Sequence, residues 1–194
     1  RFGEQLLFEH ISFGVGKGQK VALIAKNGMG KSTLLRIIAG KDSAETGTVI
    51  FRNDISIGIL EQDPLLEPEN TVFEEVFNSE APILTLIKNY ENAVEHNDTA
   101  ALEHLIPDMD AHSAWDYETT IKQILSELKV GFYDRKISQL SGGQKKRVGL
   151  AKVLISNPEF LILDEPTNHL DIEMTEWLEE YLGKSNSTLL MVTH

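Results

Sequence analysis

The apolar residues of this chain fall into two patterns. Three short runs are unbroken: Val21-Ala22-Leu23-Ile24, Phe160-Leu161-Ile162-Leu163 and Leu189-Leu190-Met191-Val192. Unbroken runs of this length predict strands buried on both faces, as in a parallel sheet. Between them, apolar residues recur at helical spacing. Leu34, Leu35, Ile37 and Ile38 make one such helix, which Gly40 can stop. Ile121, Ile124, Leu125 and Leu128 stand at i, i+3, i+4 and i+7. The stretches GLAKVLI (149–155) and EMTEWLEEYL (173–182) also read as helices. Residues 1–18 predict short strands with turns at Gly14, Gly16 and Gly18, and 47–62 predict two more. From 72 to 129 the character becomes helical, with Asp98 as an N-cap and Pro107 as a break. Strands alternating with helices around unbroken apolar runs imply an α/β fold with a parallel sheet.

Charge separates the same regions. Residues 61–139 hold 17 acidic and 5 basic side chains, whereas the remainder holds 13 of each. The net charge of −12 therefore belongs to one middle segment, which repels phosphate backbones and reads as a solvated helical surface. The chain has no cysteine, so disulfides and thiolate metal sites are excluded, which fits a reducing compartment. No apolar run is long enough to span a bilayer, and no signal peptide is visible. At 194 residues one domain with an inserted subdomain is expected; Arg1 at the start and His194 at the end read as a piece of a longer protein.

Three stretches carry chemistry. In IAKNGMGKST (24–33), a buried strand runs into a glycine turn and then a helix. This nearly fits the phosphate-loop template G-x-x-x-x-G-K-[ST], with Ala25 at the first glycine position. The backbone of Asn27, Gly28, Met29, Gly30, Lys31, Ser32 and Thr33 would cradle phosphates at a helix N-terminus. Lys31 would reach the β- and γ-phosphates, and Ser32 would offer its hydroxyl to Mg²⁺. In FLILDEP (160–166), an apolar strand ends in Asp164 and Glu165, where ligands bind in open α/β sheets. Asp164 suits Mg²⁺ and Glu165 suits orienting an attacking water. In LSGGQKKR (140–147), Ser141 can cap a helix whose first N–H groups, with Gly142, Gly143 and Gln144, can hold an anion.

The ordered set of phosphate loop, Gln62, LSGGQ, ILDEPT, HLD (169–171) and Thr193-His194 resembles the ATP-binding cassette (ABC) ATPases along the whole chain. LEQDP, DEPTNHLD and WDYETTIKQILSEL resemble in particular the ABC-F subfamily, and the chain looks like the first of its two tandem cassettes. The resemblance implies a P-loop NTPase with a mostly parallel core sheet, an antiparallel β part near the N-terminus and an inserted helical subdomain. The expected division is 1–62 with 140–194 for the core, and 63–139 for the helical part. It also implies that Gln62 senses the γ-phosphate through Mg²⁺ or water, that His194 contacts the γ-phosphate and that Phe2 stacks on adenine. Ser141, Gly142, Gly143 and Gln144 would close a partner cassette's ATP site, the partner being another region of a longer chain or a second molecule. Implied with these are ATP hydrolysis, a cytoplasmic location without membrane insertion, and action on the ribosome. A transporter's nucleotide-binding domain is the alternative; a DNA-repair cassette would need a long coiled coil in place of the modest acidic insert.

Other features read plainly. His96, His104 and His112 are expected at the surface. Lys145, Lys146 and Arg147 are expected on a solvated helix face, and Trp177 and Tyr181, at i and i+4, in packing.

Overall fold

A computed structural model of the chain describes residues 9, 11–24, 26, 28–77 and 82–193. They form two units: the described residues up to Leu65 together with Asn157 onward, and Leu66–Ser156.

The first unit is built on four strands: β1 (Lys20–Ile24), β2 (Ile57–Leu60), β3 (Phe160–Asp164) and β4 (Thr188–Thr193). They make one parallel sheet in the order β1-β4-β3-β2. β3 is buried along its whole length, as its unbroken apolar run requires. Helix α1 (Lys31–Ile38) lays Leu34, Leu35 and Ile38 against Phe160, Ile162, Leu190 and Val192 on one face of the sheet. A later helix, Ile172–Lys184, buries the stripe Met174, Leu178 and Leu182; its Trp177 and Tyr181 rings stack 5.2 Å apart, the packing their spacing predicted.

Two expectations change here. Among the described residues β1 is an edge strand, with Val21 and Leu23 turned toward the α1 layer and Ile24 74% exposed, so there it is covered on one face instead of two. Of the strands expected outside the core, only β2 forms among the described residues. Residues 11–18 and 47–56 run without ladder pairing, and Phe13, Val49 and Ile50 stay exposed. Residues 1–8 and 10, part of the expected antiparallel set, lie outside the described residues.

The second unit is helical: α2 (Val72–Val76), α3 (Pro82–Glu95), α4 (Thr99–Ala111), α5 (Ala114–Glu127) and α6 (Gly142–Ile155). The helix Ile172–Lys184 of the first unit is α7. Asp98 caps α4 as predicted, accepting the Ala101 N–H at 3.0 Å. Pro107 does not break α4, which runs on to Ala111. A proline removes one N–H and crowds the preceding turn, a cost of about 3 kcal/mol. Met109, two residues on, is fully buried and holds the final turn in place. In α5, Ile121, Ile124 and Leu125 face inward, followed by buried Leu128, as the periodicity predicted.

Residues 140–156 were expected with the ATPase core, yet α6 groups with the helices. A buried ion pair ties it to α2: Lys152 Nζ lies 2.6 Å from Glu75 Oε1. The Tyr117 hydroxyl of α5 donates to the Ile155 carbonyl at 2.5 Å. Arg147 donates to the carbonyls of Leu128 and Lys129 at 3.3 and 3.4 Å, capping the C-terminal end of α5. Within the run read as a solvated face, Arg147 is thus a structural cap.

Candidate functional site

Because all four strands run the same way, their C-terminal ends share one edge of the sheet. That edge receives the turn after β1, Glu61 and Gln62 after β2, Asp164 and Glu165 at the end of β3, and Thr193 of β4. Residues far apart in sequence meet there because a parallel sheet sends every strand's exit to the same side.

The turn after β1 has the backbone of an anion cradle. Gly28 (φ 80°) and Gly30 (φ 81°) both sit in the left-handed region, where side chains are strained. Gly30 is the N-cap of α1 and supplies no side-chain cap, so the first N–H groups of the helix have no acceptor from that residue. Lys31 opens the helix and is only 7% exposed. Met29 is 56% exposed at the tip of the turn. Asn27 and Ala25 lie outside the described residues, as do Phe2 and His194.

Ser32, in the first turn of α1, is close enough to Asp164 of β3 to act on its carboxyl. Burial pushes that carboxyl above its ordinary range, and Ser32 pulls it back. The charges of Glu165 and Glu61 push it further up, while Lys31 pulls it down. Lys31, Ser32, Asp164, Glu165 and Glu61 are therefore one electrostatic group. Thr33 follows in α1, half-buried. Gln62 is exposed, two residues beyond β2, at the same edge.

Glu165 is held in a costly conformation. Its φ of 49° places a non-glycine residue in the left-handed region, a strain of order 1 kcal/mol. Its N–H donates to the Val192 carbonyl at 3.0 Å, extending the sheet. Asn168 holds it from the other side: its N–H donates to the Glu165 carbonyl at 3.1 Å and its side-chain amide donates to Glu165 Oε2. Neither Asn168 nor Glu61 was singled out from the sequence. Asn168 stands three residues after Glu165, the spacing of a local side-chain turn, which is the signal that points to it.

Ser141, Gly142, Gly143 and Gln144 lie in the helical unit as the first turn of α6. Ser141 accepts the Gln144 N–H at 3.3 Å and Gln144 Oε1 accepts the Ser141 N–H at 2.9 Å, a full capping box. The box leaves the N–H groups of Gly142 and Gly143 at the helix start, where no intrahelical acceptor exists.

Among the described residues no helix is long and apolar enough to cross a membrane, and no group of three or more His, Asp or Glu side chains is placed to hold a metal on its own. His96 and His112 each bond a carbonyl one turn back, at 2.9 Å.

The profile of the family described as ABC transporter matches residues 8–168. A Bacillus subtilis protein, the uncharacterized ABC transporter ATP-binding protein YfmR, is 41% identical over 201 residues, covering 100% of this chain and 32% of that protein. The energy-dependent translational throttle protein EttA of Mycobacterium tuberculosis is 33% identical over 199 residues, covering 99% of this chain and 36% of that protein. The chain thus spans about a third of the length of these relatives. Among solved structures, an ATP binding subunit of an ABC transporter superposes with a TM-score of 0.71 at 22% identity, covering 100% of this chain and 75% of that one.

Proposed function

The chain belongs to the ABC family of ATPases and is most like its ABC-F members; from that premise we propose that it is an ATP-binding and ATP-hydrolysing cassette that closes head to tail with a second cassette to act on translation. The observation that carries the reading is that the parallel sheet brings the glycine turn, with Lys31 and Ser32, and the β3 carboxylates Asp164 and Glu165 to one edge.

The residues divide the work. The N–H groups of the turn and Lys31 bind the β- and γ-phosphates of ATP. The hydroxyl of Ser32, the carboxylate of Asp164 and the amide oxygen of Gln62 are hard oxygen donors at one sheet edge, and they fit Mg²⁺. When bound, that ion neutralises charge developing across the β- and γ-phosphates. Glu165, fixed by Asn168 and the sheet, orients the water for in-line attack. Phe2 on adenine, Asn27 in the cradle and His194 on the γ-phosphate complete the proposed set. Ser141, Gly142, Gly143 and Gln144 serve the partner cassette's ATP, with the N–H groups of Gly142 and Gly143 offered across the interface.

Two cassettes in one chain, the first represented here, accord with relatives about three times as long. Translation as the target, and the cytoplasm as the place, draw on the relative named a translational throttle protein. Lys31→Ala tests the core of the proposal. Calorimetric titration with Mg-ATP is expected to show binding to the parent chain and none to the variant; equal affinities refute the phosphate-turn assignment.

A further inference from the structure

We propose that Glu61 is a positioning residue for Gln62, held in place by Arg36 and Lys41 of the phosphate-turn helix and its exit. The proposal rests on the assignment of Gln62 to the ATP site. Glu61 is the residue between the end of β2 and Gln62, and both of its carboxylate oxygens are engaged. Oε1 takes Arg36 Nη1 at 3.1 Å, and Oε2 takes Lys41 Nζ at 2.8 Å. Arg36 is itself fixed by Asp42, Nε to Oδ2 at 2.8 Å. The Glu61 side chain is 16% exposed, whereas those of Arg36 and Asp42 are 46% and 40% exposed.

The arrangement suits holding a geometry better than holding the fold. Pairs this open to water contribute about 0–1 kcal/mol each. Yet two cations, Arg36 and Lys41, converge on the one residue that leads into Gln62. Arg36 lies in the last turn of α1, and Lys31 and Ser32 lie in its first. The helix that carries the phosphate contacts thus also fixes the backbone one residue before Gln62.

Continuing the β2–β3 register, in which Leu60 pairs with Leu163, sets Glu61 level with Asp164 and Gln62 level with Glu165. The charge of Glu61 is felt at Asp164, which agrees with that placement. Two cations answer the Glu61 carboxylate, which limits the charge it brings to the edge.

A positioning residue acts through its neighbour, and a double-mutant cycle detects that. The parent chain, Glu61→Ala, Gln62→Ala and the double variant are titrated calorimetrically with ATP, in Mg²⁺ and again in a chelator. Glu61→Ala is expected to weaken Mg-ATP binding by about tenfold, as loss of an outer partner of a metal ligand does, and Gln62→Ala by at least as much. Metal-free ATP binding is expected to stay within about twofold, and the double variant to bind no worse than Gln62→Ala. Glu61→Gln, which keeps the volume and one acceptor, is expected to lie between Glu61→Ala and the parent. Additive losses in the cycle overturn the proposal. So do equal losses with and without Mg²⁺, which mark a damaged fold, or no loss at all. A parent chain that binds no nucleotide overturns the ATP-site assignment as well, an outcome distinct from an additive cycle.

Discussion

Lys152→Met probes the ion pair that fastens α6 to α2. Glu75 is 1% exposed, and its carboxylate has three partners: Lys152 Nζ at 2.6 Å, Asn70 Nδ2 at 2.9 Å and the Glu67 N–H at 3.2 Å. Replacing the lysine leaves a buried anion with two neutral donors. Breaking a buried pair from one side costs roughly 3–5 kcal/mol. Lys152 is 28% exposed, so water reaches the vacated end and the expected loss is about 3 kcal/mol. At about 2–4 °C per kcal/mol for a chain of this size, the thermal midpoint falls by roughly 6–12 °C. Adding Glu75→Gln removes the stranded charge while keeping an acceptor for Asn70 and Glu67. The double variant should therefore lose only about 1 kcal/mol, about 2 kcal/mol less than Lys152→Met alone. The two tryptophans lie in different units, so urea unfolding in a Trp177→Phe background reports the helical unit through Trp115. A shift below about 0.5 kcal/mol for Lys152→Met, at unchanged slope, refutes the argument.

Ile162→Ala empties a fully buried position in β3 and should cost about 3–4 kcal/mol by denaturant unfolding. Glu91→Gln tests a pH dependence in the helical unit. Burial raises the Glu91 carboxyl, the Lys122 bond opposes this, and Glu118 adds to the rise. A raised carboxyl pKa means its favourable contribution is complete at acid pH and is lost as pH rises through the folded value. Glu91→Gln should thus stabilise the chain at about pH 8 relative to the parent and make little difference at about pH 4, read from urea midpoints at both. Glu165→Gln, in a chain that carries a second cassette, should hold ATP without turning it over and co-sediment with ribosomes in ATP. Turnover near the parent rate removes Glu165 as the water-orienting group, and no co-sedimentation removes the ribosome as target.

The core of this fold is written in letters whose roles are local. Phe160 to Leu163 are buried on both faces, so every position is apolar, and the carboxylates follow where the strand emerges. Gly28 and Gly30 need left-handed backbone, and the Ser141–Gln144 spacing of a capping box appears in the structure as one. Where the outcome hangs on a distant partner, the sequence misleads. Val21 to Ile24 look like a central strand, yet position in the sheet decides coverage, and among the described residues β1 falls at an edge. Val49 and Ile50 have strand propensity but find no ladder among the described residues. Pro107 is overruled by the burial of Met109. Glu61 and Asn168 lie inside LEQDP and DEPTNHLD without being singled out by them, and Glu75 carries no motif. Their significance comes from which side chains the tertiary structure sets against them.

The strand order has a consequence for synthesis. Of the four described strands β4 is synthesised last, yet it lies between β1 and β3, with Lys20 paired to Leu189. At about 5–20 residues per second, roughly 10–30 seconds separate the emergence of these partners. During that interval β1 has no ladder neighbour, and the phosphate turn it carries has no strand behind it. The helical unit, continuous from Leu66 to Ser156, has every residue it needs well before β4 appears. A nascent chain therefore acquires its helices first, and its nucleotide cradle gains support only when residues 188–193 slide between two strands already in place.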